Sequence, residues 1–106
     1  MKEFIVIPAY NEERKIGEVL NDLISSEYKN IVVVDDGSKD DTSSIASKYN
    51  ISVIKHPINR GQGAALKTGI DFALSNGADI IVTFDSDGQH CAEEIKSLTE
   101  LIKNGE

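Results

Sequence analysis

Four short runs of β-branched and apolar residues recur along the chain: Phe4-Ile5-Val6-Ile7, Ile31-Val32-Val33-Val34, Ile51 to Ile54, and Asp79 to Phe84. Their apolar residues are consecutive rather than alternating, and each run is too short for a helix. That is the signature of a strand buried on both faces. Between the first two runs, Ile16, Val19, Leu20, Leu23 and Ile24 fall at i, i+3, i+4, i+7 and i+8, one face of a helix expected from about Glu12 to Ser25. After the second run, Asp41 or Thr42 can cap a short helix carrying Ile45, Ala46 and Tyr49. A third helix is expected from Gly61 to Asn76, stopped by Asn76-Gly77. A fourth would hold Ile95, Leu98, Leu101 and Ile102. Gly69 inside the third helix costs roughly 1 kcal/mol against Ala, which points to close packing there.

A βαβαβαβα order with doubly buried strands means an α/β fold, a Rossmann-like parallel sheet with helices on both faces. Right-handed crossovers give the strand order 3-2-1-4. In such sheets ligands bind at the carboxyl ends of the strands that flank the reversal, here strands one and four. A chain of 106 residues fits one domain, and 40% hydrophobic with 27% charged residues fits a globular one. The net charge of −7 argues against nucleic acid as a partner, because phosphate binding needs a basic face. The single Cys91 excludes an intrachain disulfide and a cysteine-only zinc site. Met-Lys-Glu running straight into a strand is no secretory leader, so a soluble, cytoplasmic domain is the expectation.

Three polar segments fall at the functional edge of this sheet. The first is Pro8-Ala9-Tyr10-Asn11-Glu12-Glu13, the second Asp35-Asp36-Gly37-Ser38, and the third Asp85-Ser86-Asp87-Gly88-Gln89-His90. Asp85 and Asp87 at i and i+2 of an extended chain point the same way. At roughly 6 Å they repel by about 3 kcal/mol at an effective dielectric constant of about 20, so they call for a cation. Hard oxygen donors suit Mg²⁺ or Mn²⁺, and Gln89 adds a neutral oxygen. The plain alternative is a solvated acidic turn before a helix. One carboxylate of the Asp35-Asp36 pair can accept N–H bonds from a nucleobase, with backbone at Pro8 to Tyr10 lining the same pocket and Tyr10 packing on a ring. A simple turn is the alternative there. Asn59-Arg60-Gly61-Gln62-Gly63 is neither a dinucleotide fingerprint nor a Walker A loop, because Leu66 stands where a glycine is required. Arg60 is a candidate contact, while His56, His90 and Cys91 show no nucleophile or zinc spacing.

Taken with Asn59-Arg60-Gly61-Gln62-Gly63-Ala64-Ala65, the four segments come in the order seen in inverting family-two glycosyltransferases of the GT-A fold. The chain most resembles the dolichyl- or polyprenyl-phosphate mannosyl- and glucosyltransferase branch, over essentially its whole length. The resemblance implies a GDP- or UDP-sugar donor and a divalent metal. By position it assigns Pro8, Ala9, Tyr10, Glu12, Val34, Asp35 and Asp36 to the nucleoside, Asp85 and Ser86 to the donor, and Asp87 and Gln89, with Asp85, to the metal. It also implies inverting transfer to an acceptor hydroxyl or to a lipid phosphate, such as polyprenyl phosphate at the cytoplasmic membrane face. Residues 1–106 would form the donor-binding portion, with the acceptor half and any catalytic base outside the chain. Two rival readings are a non-catalytic nucleotide-binding module and a haloacid-dehalogenase-like phosphatase using Asp85 and Asp87. The last strand lies at the sheet edge in the 3-2-1-4 order, so the isolated chain is expected to pair as a homodimer there.

Overall fold

The computed structural model describes residues 2–84. Its elements are β1 (Glu3–Ala9), α1 (Ile16–Ser25), β2 (Ile31–Asp35), α2 (Thr42–Ala46), β3 (Ser52–Lys55), α3 (Gln62–Ser75) and β4 (Ile80–Thr83). All strand pairs are parallel and the order is β3-β2-β1-β4, as the alternation of elements requires. The expected helix around Ile95 to Ile102, and the whole segment from Asp85 to His90, lie outside the described residues.

The doubly apolar strands supply two cores. Ile5, Ile7 and Ala9 of β1, with Ile31 and Val33 of β2, pack against Ile16, Val19, Leu20 and Leu23 of α1 and Ala46 of α2. The alternate residues Phe4, Val6, Val32 and Val34 pack against Ala65 and Ala73 of α3. Gly69 is the point of closest approach on that second face. A Cβ built there would lie 2.3 Å from Val6 Cγ1 and 3.2 Å from Val34 Cγ2, so only glycine lets α3 settle onto the sheet.

The boundaries of β1, α1 and α2 differ from the sequence reading in ways that bear on the site. β1 runs on through Pro8 to Ala9 instead of stopping at Ile7. The bonds Ile5 N–H to Asn30 O and Asp36 N–H to Ala9 O show that odd-numbered residues face β2, while Phe84 N–H to Val6 O shows that even-numbered ones face β4. Pro8 is even, so its missing N–H falls on the β4 side, just past the last β4 bond, and the β2 ladder is untouched. α1 begins at Ile16 rather than near Glu12, because the N–H groups of Asn11, Glu12 and Glu13 bond to side chains of a neighbouring loop. α2 stops at Ala46, and Tyr49 lies beyond it with its hydroxyl donating to the Gly17 carbonyl at 3.2 Å. Among the described residues no helix is long and apolar enough to cross a membrane.

Candidate nucleotide-sugar site

The carboxyl ends of β1, β2 and β3 carry three loops that are laced together by polar side chains. The first two loops exchange bonds reciprocally. Asn11 N–H donates to Ser38 Oγ at 2.8 Å, and Lys39 N–H returns a bond to Asn11 Oδ1 at 2.9 Å. Glu13 N–H donates to Asp40 Oδ2 at 3.3 Å, and Asp41 N–H returns one to Glu13 Oε2 at 3.1 Å. Glu12 N–H donates to the buried Thr42 Oγ1 at 2.9 Å. These bonds tie the segment ahead of α1 to the second loop. Burial raises the pKa of Asp40, but bonds from the Thr42 hydroxyl and N–H and from Glu13 N–H outweigh it and hold the carboxyl below the usual range.

The second and third loops meet at Asp36. Its Oδ1 accepts from His56 Nδ1 at 2.8 Å and Arg60 N–H at 2.9 Å; its Oδ2 accepts from Asn59 Nδ2 at 3.1 Å and Gly61 N–H at 2.8 Å. A carboxylate has about four lone-pair sites, and all four are taken by this chain. Burial of Asp36 raises its pKa, yet the bonds from His56, Arg60 and Gly61 outweigh it and leave the group below the usual carboxylate range. Gly37, at φ +72°, lets this meeting happen. A Cβ there would lie 2.4 Å from Asn59 N and from Ile58 C, which are backbone atoms.

The sequence-predicted residues divide into three groups. Tyr10 is 43% exposed at the rim, free to cover a planar ring, and Glu12 beside it is half-buried. Pro8, Ala9 and Val34 are buried in the sheet, with Val34 packed under α3, so they can offer a ligand main chain and not the Val34 side chain. The carboxylate pair splits. Asp36 is consumed by the third loop and so does not present the free base acceptor expected of it. Asp35 is fully buried, with Oδ1 accepting from Ser38 N–H at 2.9 Å and Oδ2 lacking any partner. Asp35 Oδ2 is the one such buried oxygen identified among the described residues. Asp85, Ser86, Asp87 and Gln89 lie outside those residues, directly after Phe84, whose N–H bonds to Val6 O at 3.0 Å. Among the described residues no cluster of acidic, His or Cys side chains is arranged to hold a metal.

Residues 4–106 match glycosyl transferase family 2. The chain belongs to that family. The match sets aside the phosphatase reading. Among relatives, the chain is 43% identical over 118 residues to the UDP-N-acetylglucosamine--dolichyl-phosphate N-acetylglucosaminyltransferase of Methanococcus voltae, covering 95% of this chain and 47% of that protein. It is 39% identical over 113 residues to the dolichol-phosphate mannosyltransferase of Pyrococcus furiosus, covering 99% of this chain and 31% of that one. Among solved structures, glucosyl-3-phosphoglycerate synthase from Mycobacterium tuberculosis, with Mn²⁺, uridine diphosphate and glucosyl-3-phosphoglycerate bound, superposes with a TM-score of 0.66 at 28% identity, covering 80% of this chain and 33% of that one. The four-stranded parallel sheet is thus that of GT-A glycosyltransferases. The chain spans less than half the length of these relatives.

The residues that lace the loops, Asn11, Ser38, Asp40 and Thr42, were not singled out from the sequence as functional. Their signal was present as side chains that favour bonds to nearby backbone, clustered after two strands. His56 and Asn59 carried no such signal, because their partner Asp36 is 20 or more positions away.

Proposed function

We propose that this chain is the donor-binding portion of a glycosyltransferase that takes a GDP- or UDP-linked sugar with Mg²⁺ or Mn²⁺ and transfers the sugar, with inversion, to a polyprenyl-phosphate acceptor. The observation that carries the reading is the orphaned Asp35 Oδ2, a buried acceptor at the carboxyl end of β2. Such an atom costs about 1–3 kcal/mol unless a donor meets it, and a nucleobase N–H is a donor of the right kind. Tyr10 packs on the base, main chain at Pro8, Ala9 and Val34 lines its edge, and Glu12 reaches the ribose side. Asp36 fixes the loop of residues 59–61 beside this pocket.

Asp85 and Ser86 then meet the donor beyond the diphosphate. Asp87 and Gln89, with Asp85, form a set of hard oxygen donors that fits Mg²⁺ or Mn²⁺ in kind. When bound, such an ion neutralises charge on the departing nucleoside diphosphate. An acceptor oxygen attacks the anomeric carbon from the side opposite the leaving oxygen, so the new bond has inverted configuration. The acidic chain (net −7) meets an anionic donor only with cations between them, which agrees with both the metal set and the exposed Arg60. β4 pairs with β1 alone among the described strands, which supports self-association of the isolated chain at the β4 side.

The full-length protein, given a UDP- or GDP-sugar and polyprenyl phosphate, is expected to release nucleoside diphosphate and form a lipid-phosphate sugar of inverted anomeric configuration by NMR. Absence of product with both nucleotide classes would contradict the reading.

A further inference from the structure

His56 is 5% exposed and both of its ring nitrogens are engaged. Nδ1 lies 2.8 Å from Asp36 Oδ1, and Nε2 lies 2.9 Å from Thr68 Oγ1. A carboxylate only accepts, so Nδ1 carries a hydrogen and donates to Asp36, while Nε2 is hydrogen-bonded to the Thr68 hydroxyl. The His56 main-chain N–H also donates to Asp35 O at 2.8 Å. One residue therefore grips the end of β2 twice and the middle of α3 once.

The consequence falls on Asp36. The terminal torsion of an aspartate is soft, so its carboxylate plane is not fixed by its own rotamer. Both oxygens must be aimed correctly to hold Arg60 N–H and Gly61 N–H, the groups that lead into α3. The His56 ring, itself held by Thr68, supplies a bond that sets that plane. A fully satisfied buried network of this kind selects one arrangement of the loops it joins. Arg60 belongs to the loop so held. It is exposed at the carboxyl edge of the sheet, and among the described residues its guanidinium has no ion-pair partner.

We propose that His56 is a positioning residue for the donor: through Asp36 it fixes the loop of residues 59–61, and so sets the Arg60 cation against the diphosphate of the bound nucleotide. This rests on the donor-binding reading of that sheet edge. A planar guanidinium that meets a phosphate bidentately is sensitive to its anchor. Loss of that anchor should therefore weaken the diphosphate contact more than the base contact.

The test compares UDP with uridine, and GDP with guanosine, by titration calorimetry on the full-length protein with Mn²⁺ present. His56→Ala is expected to weaken the diphosphate roughly tenfold or more, the size of one charge-assisted hydrogen bond, and the nucleoside by less than about threefold. His56→Asn, whose amide nitrogen can take the Nδ1 place, should restore most of the loss. Arg60→Ala should reproduce it, and His56→Ala combined with Arg60→Ala should bind no worse than Arg60→Ala alone. Equal weakening of diphosphate and nucleoside by His56→Ala, unchanged affinity for both, or additive losses in the double variant would overturn the proposal. Should His56→Ala fail to fold, Arg60→Ala and His56→Asn decide: a diphosphate-selective loss in the first with near wild-type binding in the second supports the proposal, and any other result overturns it. Wild-type protein that binds neither UDP nor GDP would instead remove the donor reading, and this proposal with it.

Discussion

Asp36→Asn puts a number on the junction of the second and third loops. The asparagine keeps the shape of the side chain but replaces one of two acceptor oxygens by an NH₂ donor. With the amide nitrogen at the Oδ2 place, it faces the donors Asn59 Nδ2 and Gly61 N–H. Flipped, it faces His56 Nδ1, which can change tautomer, and Arg60 N–H, which cannot. Either way at least one main-chain N–H loses its acceptor, at about 1–3 kcal/mol, and the surviving bonds lose their charge. The expected cost is about 2–4 kcal/mol at pH 7, a large share of the 5–15 kcal/mol typical of a whole domain. The cost has a pH signature. The Asp36 carboxyl lies below its ordinary value when folded. Between the folded value and the unfolded value of about 3.9, the unfolded chain binds more protons, so stability rises with pH there. The contribution is therefore full above about pH 5, and falls away as pH drops through the folded value. Asp40 shifts in the same sense but is present in both proteins and cancels. Urea unfolding of wild type and variant, from pH 7 down to the acid limit of folding, reads the gap. It should be constant at neutral pH and narrow below about pH 4. A gap under 0.5 kcal/mol at pH 7, or one that does not narrow in acid, would refute the assignment of Asp36 as a charged hub.

Two glycines give further checks on how the site is held. Gly69→Ala should destabilise the fold by roughly 1–2 kcal/mol despite its helix-propensity gain, because overpacking against Val6 costs about 1–3 kcal/mol; Gly69→Ala with Val6→Ala should lose less than the sum of the two in a denaturant double-mutant cycle. Gly37→Ala should cost about 3 kcal/mol or more, since its Cβ would collide with backbone at Ile58 and Asn59; a thermal midpoint within 2 °C of wild type would contradict that.

The fold was legible because its signal is periodic and local. Consecutive apolar residues at Ile31 to Val34 admit little but a doubly buried strand, and Ile16, Val19, Leu20 and Leu23 admit little but a helix face, all of them buried in the structure. The topology followed from the order of such elements. The start of α1 was less legible, because the segment ahead of it is held by Thr42 and Asp40 some 30 positions away and no local pattern encodes that. The site was legible as segments and not as roles. The Asp35-Asp36 pair drew attention as two carboxylates at a strand end. Alternation decides which faces which side of the sheet, but which one keeps a free oxygen depends on His56, Asn59, Arg60 and Gly61, which only folding brings to Asp36. Gly69 was legible through the cost of a glycine in a helix, and its neighbours Val6 and Val34 account for that cost.

Metal-linked nucleotide binding tests the central claim most directly. Calorimetric titration of this chain with UDP and GDP, in Mn²⁺ or Mg²⁺ and again in EDTA, should show at least one diphosphate binding more tightly with metal, and Asp87→Ala should abolish the metal-dependent part. A thermal shift should follow, since ligand at about 100 times its Kd adds about 2.7 kcal/mol to the folded state. Equal affinity with metal and with EDTA in the wild type, or no binding of either diphosphate, would contradict the account.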